Sequence, residues 1–98
     1  MKLTVFIDMD GVLADFDSQI DPSYKFNDPP EMFTEGFYRK LPVMDGAKEA
    51  ITSMLSNPRL DLYIASKPTV KNLHSTIEKY QWIQEHFPEL LKKNVLNL

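Results

Sequence analysis

Two aspartates, Asp8 and Asp10, stand one residue apart directly after an apolar run, and their spacing suggests chemistry. Neighbouring carboxylates repel each other and resist losing water, so a pair at the end of a buried strand needs a partner. A divalent cation between them satisfies both charges and also attracts a phosphate group. An aspartate beside a metal-bound phosphoryl group can attack phosphorus, while a second carboxylate protonates the leaving oxygen and later activates water.

The run before the aspartates, residues 2–7, predicts the first strand of a sheet. It is rich in β-branched and aromatic residues and apolar on both faces, which is typical of a central strand in a parallel sheet. We therefore expect Val5, Phe6 and Ile7 in the core. Further strands are predicted over 60–65 and 94–98.

Helical patterns alternate with these strands. A short helix is predicted over 12–20, one or two helical turns over 31–38, and longer helices over 45–56 and 75–87. Asp45 is the expected N-cap of the helix at 45–56, whose residues Ala47, Ala50, Ile51, Met54 and Leu55 share one face. Ser75 and Glu78 predict a capping box for the helix at 75–87. This alternation indicates an α/β fold with a parallel sheet and right-handed crossovers.

Ser66 follows the second predicted strand and is the third residue of interest. Ligands bind at the carboxyl ends of strands in open α/β sheets, and neighbouring parallel strands end at the same edge. We therefore expect Ser66 to lie near Asp8 and Asp10.

Composition narrows the function classes. The chain has 98 residues, enough for one small domain, and a formal net charge of −3 that argues against a nucleic acid polymer as partner. It contains no cysteine, which excludes disulfides and thiolate zinc sites. With neither a signal-peptide pattern nor an apolar run long enough to span a membrane, we expect a cytoplasmic protein without membrane contact.

Four segments occur in an order that resembles a known family. They read DMDGVLADF at 8–16, LPVMDGAKEAI at 41–51, YIASKP at 63–68 and EKYQWIQEHF at 78–87. The first resembles the opening motif of haloacid-dehalogenase-like (HAD) phosphatases, and the series is similar to their 5′(3′)-deoxyribonucleotidase branch. The resemblance implies a three-layer Rossmann-like HAD domain over 1–98, with its core at 1–13 and 45–98. Residues from about 14 to 44, called the cap segment below, would form a small helical cap.

The resemblance also implies an activity, that of a Mg²⁺-dependent phosphomonoesterase acting on (deoxy)nucleoside monophosphates through an aspartyl phosphate. Asp8 would be the nucleophile and Asp10 the general acid and base, and both would bind Mg²⁺. Ser66 and Lys79 would bind the phosphate. Lys67, where relatives have a small residue, would either add phosphate affinity or point outward.

Three aromatic residues, Phe16, Phe37 and Tyr38, are the implied contacts for the substrate base. Phe16 is equally well explained as a core residue. Taken alone, Lys79 would more often be a solvated helix lysine, and an Asp-x-Asp-Gly sequence could be a turn with a helix cap.

One departure from the family concerns its acidic pair. Relatives continue into another strand that ends in two aspartates and supplies a further Mg²⁺ ligand, whereas this sequence stops at NVLNL. The fold is therefore expected to be C-terminally incomplete and the metal site short of a carboxylate. The first strand is expected to have a bare edge, which favours a homo-oligomer or an edge-paired dimer. An inactive nucleotide- or phosphate-binding relative and a non-enzymatic interaction module are the alternative functions.

Overall fold

A computed structural model shows, among the residues that it describes, three parallel strands, three helices and the short turns of the cap segment. It describes residues 2–67, 69, 71–91 and 95–97, the last three by their backbone alone. The strands are β1 (Leu3–Asp8), β2 (Leu60–Ser66) and β3 (Val95–Asn97), and the helices are α1 (Ala47–Leu55), α2 (Ser75–His86) and α3 (Pro88–Leu91). Single 3₁₀ turns span Asp17–Gln19, Pro30–Phe33 and Tyr38–Lys40.

The sheet has the strand order β1-β2-β3, and both pairings are parallel. The register of β1 against β2 runs from Leu3 opposite Leu60 to Asp8 opposite Ala65. The predicted α/β fold is confirmed as a small parallel-sheet structure consistent with the Rossmann-like HAD fold. In the predicted third strand, Asn94 and Leu98 lie outside the described residues.

The predicted burial of β1 is confirmed for Ile7 and wrong for Phe6. Ile7 is buried and Val5 half-buried, but Phe6 is 61% exposed and Leu3 62% exposed. Within the described ranges β1 is an edge strand, with β2 on one side only. Its side chains alternate between two faces, and the face that carries Thr4, Phe6 and Asp8 is exposed along its length.

Helix α1 begins later than predicted and leaves part of its apolar face in solvent. Its N-cap is Gly46, in the left-handed region at a φ of 81°, so Asp45 does not cap the helix as expected. A residue without Cβ adopts this conformation at little cost, which explains the start at Ala47. Ala47 and Ile51 are buried, whereas Ala50 and Leu55 are exposed.

The core contains buried residues of β1 and β2, of all three helices and of the cap segment. Trp82, Ile83 and Phe87 are fully buried core residues, and the Trp82 indole donates a hydrogen bond to the carbonyl of Leu41 at 2.7 Å. This bond ties α2 to the end of the cap segment.

Residues 12–20 do not form the predicted helix. The amides of Leu13 and Ala14 both donate to the Met9 carbonyl, which closes a tight turn. The chain then runs beside the end of the cap segment, where Asp15 N–H donates to the Pro42 carbonyl and Met44 N–H to the Leu13 carbonyl. These backbone pairings leave only the 3₁₀ turn Asp17–Gln19 of the predicted helix.

The helices of the described residues are all too short to cross a lipid bilayer.

Candidate active site

The ammonium group of Lys79 is the centre of a buried polar cluster. Its Nζ donates hydrogen bonds to Asp10 Oδ2 at 3.0 Å, to Ser66 Oγ at 3.1 Å and to the Lys67 carbonyl at 2.6 Å. Lys79 is 5% exposed and Ser66 4% exposed. Helix α2 carries Lys79, the end of β2 carries Ser66, and the turn after β1 carries Asp10. Ser66 and Asp10 therefore lie close together, as predicted, because both accept hydrogen bonds from Lys79.

The two oxygens of the Asp10 carboxyl group have different surroundings. Oδ2 pairs with Lys79, whereas Oδ1 is buried and accepts no hydrogen bond from the described residues. Burial raises the pKa of Asp10 above its usual range, the Lys79 charge opposes that rise, and the Asp8 charge adds to it. A carboxyl group that holds its proton to higher pH is suited to protonating a leaving group.

Asp8 is not part of this hydrogen-bonded cluster. It is the last residue of β1 and opposes Ala65, so it lies at the same edge of the sheet as Ser66. Its side chain is exposed and lines a neighbouring groove between β1 and α1, together with Ile7, Val12 and Ala50.

An open cavity of about 670 Å³ lies above the cluster. Its size suits a small organic ligand. Acidic, basic and apolar side chains share its wall: Asp10, Gly11, Phe16, Asp17, Asp28, Met32, Phe33, Tyr38, Lys67, Thr69, Lys71 and Lys79. Lys67, predicted to bind phosphate, contributes an exposed side chain to the wall while its carbonyl accepts from Lys79.

The three aromatic residues predicted to contact a substrate base are packed together. The Phe37 ring meets Phe16 edge-on at 5.3 Å and Tyr38 at 5.1 Å between centroids. Phe16 and Tyr38 line the cavity, and Phe37 packs against both of their rings. The Tyr38 ring also lies 4.6 Å from Lys79 Nζ, within range of a cation–π contact.

Several residues of the cavity wall were not predicted from the sequence. Met32, Phe33 and Thr69 line it, as do the charged residues Asp28 and Lys71. None of them belongs to the four motif segments. The apolar pair Met32-Phe33 within a polar stretch was the available signal, since an apolar pair in a loop usually packs against something.

The chain is similar in sequence to several curated proteins. It is 26% identical over 127 residues to the human 5′(3′)-deoxyribonucleotidase of cytosolic type, a match covering 97% of this chain and 63% of the relative. The human mitochondrial 5′(3′)-deoxyribonucleotidase is 26% identical over 126 residues, covering 96% of this chain and 55% of that protein. Protein R824 of Acanthamoeba polyphaga mimivirus, provisionally given the same family name, is 30% identical over 122 residues, with 94% and 55% covered. The chain matches no protein-family model.

This chain is a relative of the 5′(3′)-deoxyribonucleotidases. The similarity extends across all four motif segments, as the coverage of 94% to 97% requires. The predicted family resemblance is therefore confirmed.

The chain spans between 55% and 63% of the length of these deoxyribonucleotidases. The matched regions extend over 122 to 127 positions, more than the 98 residues of this chain. The deoxyribonucleotidases therefore carry additional residues inside the matched region as well as outside it.

The deoxyribonucleotidase resemblance implies a Mg²⁺ site, but the described residues supply only some of the ligands that the ion needs. Across residues 2–67, 69 and 71–91, no group of three or more acidic or histidine side chains is placed to hold a metal ion. Asp8 and Asp10 supply two carboxylates, and Asp10 already pairs with Lys79. Mg²⁺ requires near-octahedral oxygen coordination, so these side chains alone do not complete its shell.

Proposed function

We propose that this chain hydrolyses nucleoside monophosphates, as a phosphomonoesterase of the deoxyribonucleotidase type. The contact of Lys79 with both Asp10 and Ser66, at the edge of the sheet where ligands bind, is the observation that carries the proposal. The cluster unites a cation, a hydroxyl group and a carboxyl group of raised pKa. The first two suit phosphate binding, and the third suits proton transfer.

In the first step, a carboxylate oxygen of Asp8 attacks phosphorus and forms an acyl phosphate. The bond between phosphorus and the ester oxygen breaks, and its electron pair stays on that oxygen. Asp10 donates its proton to the departing oxygen, so the nucleoside leaves as a neutral alcohol. Lys79 and Ser66 hold the phosphoryl oxygens during this step, because one is a cation and the other a hydroxyl donor.

In the second step, water attacks the acyl phosphate. Asp10, now a carboxylate, takes a proton from that water, and the bond between phosphorus and Asp8 breaks. Inorganic phosphate leaves, while Asp8 returns as a carboxylate and Asp10 as an acid. No net proton is taken from the protein over the cycle.

The cavity favours a substrate with an aromatic group attached to its phosphate. The half-buried Phe16 offers a ring surface in the wall, backed by the buried Tyr38, while Lys79 lies at the polar end. A nucleobase can stack on such rings while its phosphate contacts Lys79. A Mg²⁺ requirement remains a prediction, and no step above depends on the ion. The cytoplasmic location also remains a prediction, since the relatives include one cytosolic and two mitochondrial types.

The position of Asp8 favours a second candidate, a protein that binds nucleotides without turning them over. The Asp8 side chain lines the groove beside α1 rather than the cavity of Lys79. In this alternative the Lys79 cluster binds phosphate, and no nucleophile reaches phosphorus.

One pair of measurements separates the candidates. Phosphate release from deoxynucleoside monophosphates is assayed, and calorimetry measures binding of the same compounds. Release that is lost in Asp10→Asn supports the phosphatase. Binding without release, which Lys79→Met abolishes, supports the second candidate, and absence of both binding and release contradicts both.

A further inference from the structure

The carboxylate of Glu78 makes an unusual set of contacts. Glu78 is 6% exposed and lies on α2 beside Lys79. Its Oε2 accepts from Gly36 N–H at 2.7 Å, and its Oε1 accepts from the N–H groups of Tyr38 at 3.1 Å and Arg39 at 3.4 Å. The predicted capping box is therefore wrong, because this carboxylate binds a segment about 40 residues earlier instead of its own helix.

These contacts compensate for the burial of a charge. A buried carboxylate is costly unless hydrogen bonds replace its water, and backbone N–H groups are strong partners for it. Tyr38 and Arg39 begin the 3₁₀ turn Tyr38–Lys40, whose first N–H groups have no partner within the turn. Glu78 thus supplies an acceptor to donors that would otherwise be unsatisfied.

The anchored segment carries a wall of the cavity. Tyr38 is 1% exposed, lines the cavity, and places its ring 4.6 Å from Lys79 Nζ. Its hydroxyl shares a hydrogen bond with the Thr69 hydroxyl, and Thr69 also lines the cavity. Consecutive residues of α2 therefore act on Tyr38 from two sides. Glu78 holds its backbone, and Lys79 lies against its ring.

A second buried side chain holds the same stretch of the cap segment. The Asn72 amide donates to the carbonyls of Met32 at 2.9 Å and Thr34 at 3.3 Å, and Asn72 is 4% exposed. Met32 lines the cavity. The cap segment is thus attached at two points to the region around the start of α2, and the Glu78 attachment lies nearer to Lys79.

We propose that Glu78 is a positioning residue that holds residues 36–39 so that Tyr38 forms the cavity wall over Lys79. It sets the affinity for the substrate without taking part in bond breaking. The effect on substrate rests on the proposed nucleotide-binding function, whereas the effect on the backbone of residues 36–39 does not.

Glu78→Gln tests this role with little change of size. Glutamine keeps one acceptor oxygen and turns an NH₂ group toward one set of the N–H donors. Hydrogen exchange, followed by mass spectrometry on peptides covering residues 36–39, should be at least tenfold faster in the variant than in wild type. The KM for a deoxynucleoside monophosphate should rise about tenfold with kcat nearly unchanged. If the wild type binds without turnover, the Kd from calorimetry replaces KM.

Glu85→Gln is the matched control. Glu85 lies on the same helix and pairs with Arg39 of the cap segment, but both side chains are well exposed. Exposed ion pairs contribute little, so this variant should exchange and bind like wild type. If Glu78→Gln does not fold, as judged by near-ultraviolet circular dichroism of Trp82, Glu78→Asp should change both readouts in the same direction by a smaller factor.

Two results would overturn the proposal. Unchanged exchange at residues 36–39 would mean that Glu78 does not hold this segment. Faster exchange with unchanged KM or Kd would mean that the segment's position does not set affinity. If the wild type neither binds nor cleaves nucleotides, the proposed function fails, and the role of Glu78 toward substrate fails with it. Faster exchange would then still establish the structural part.

Discussion

The Nζ atom of Lys79 lies 3.0 Å from Oδ2 of Asp10, a residue 69 positions earlier in the chain. An ammonium group has three hydrogens, and here Asp10, Ser66 and the Lys67 carbonyl each accept one. A phosphate that binds Lys79 must therefore replace at least one internal acceptor. Lys79 links Asp10, after β1, to Ser66, at the end of β2, so its replacement should affect both the stability of the protein and the binding of phosphate.

Lys79→Met should lower the free energy of unfolding by about 1–3 kcal/mol, because it leaves buried polar atoms of Asp10 and Ser66 without their partner. Urea unfolding measures this loss. Lys25→Met, at an exposed position of the cap segment, is the control and should change little. A Lys79→Met protein as stable as wild type would show that the buried ion pair contributes nothing net.

The raised pKa of Asp10 predicts a defined pH dependence of stability. Burial, opposed by Lys79, raises the pKa in the folded protein above the ordinary value of 3.8. Between the two pKa values the folded state binds more protons than the unfolded state, so Asp10 makes the protein less stable as pH rises. Above the folded pKa this contribution becomes constant.

Urea unfolding of wild type and Asp10→Asn across a pH series isolates this contribution, because the other titrating groups are common to both proteins. The free energy of unfolding of wild type, relative to the variant, should fall as pH rises above about 3.8. A relative stability that rises with pH would mean that the Lys79 charge outweighs burial.

The strands that position the site could be predicted from the sequence, because each depends on a local pattern of apolar residues. The runs LTVFI and LDLYIA predicted two strands, and the parallel pairing of these strands places Ser66 near Asp10. Lys79 could not be identified as a site residue from the helical pattern alone, since a lysine in a helix is ordinarily solvated. Its place in a family motif was the signal that separated it from other helix lysines.

The incorrect predictions concern residues whose structure depends on contacts with distant parts of the chain. Residues 12–20 have a helical pattern, but backbone bonds from Asp15 to Pro42 and from Met44 to Leu13 replace the helix. Phe6 was expected in the core. Its burial depends on which other elements cover β1, and the apolar pattern of the strand carries no information on them. Glu78 satisfied a local capping rule, although its partners lie about 40 residues away.

The uncovered edge of β1 predicts self-association. On the side of β1 away from β2, no described residue pairs with its backbone, and Leu3 and Phe6 are exposed. Unpaired strand edges with apolar side chains favour pairing with another chain. Sedimentation velocity over a concentration series should therefore show a dimer in equilibrium with monomer.

Phe6→Lys should shift that equilibrium toward the monomer, because charged residues on an edge strand oppose pairing. Phe26→Lys, at a position that is 80% exposed in the cap segment, makes the same chemical change elsewhere and should leave it unaltered. A wild-type chain that stays monomeric at every concentration would contradict the prediction.

Mg²⁺ should bind this chain weakly. Asp8 and Asp10 supply two carboxylates, and Lys79 competes for one of them. Calorimetric titration should give a Kd in the millimolar range, and Lys79→Met should tighten it by removing the competing charge. Micromolar binding by the wild type would mean that further ligands complete the site.

Phosphate release by Asp8→Asn tests the central claim most directly. If Asp8 is the nucleophile, wild type should release phosphate from deoxynucleoside monophosphates, and the variant should lose this activity entirely while still binding the nucleotide, because asparagine cannot form the acyl phosphate. Asp17→Asn, at an exposed aspartate of the cavity wall, is the control and should remain active. Near-normal release by Asp8→Asn would contradict the aspartyl-phosphate mechanism.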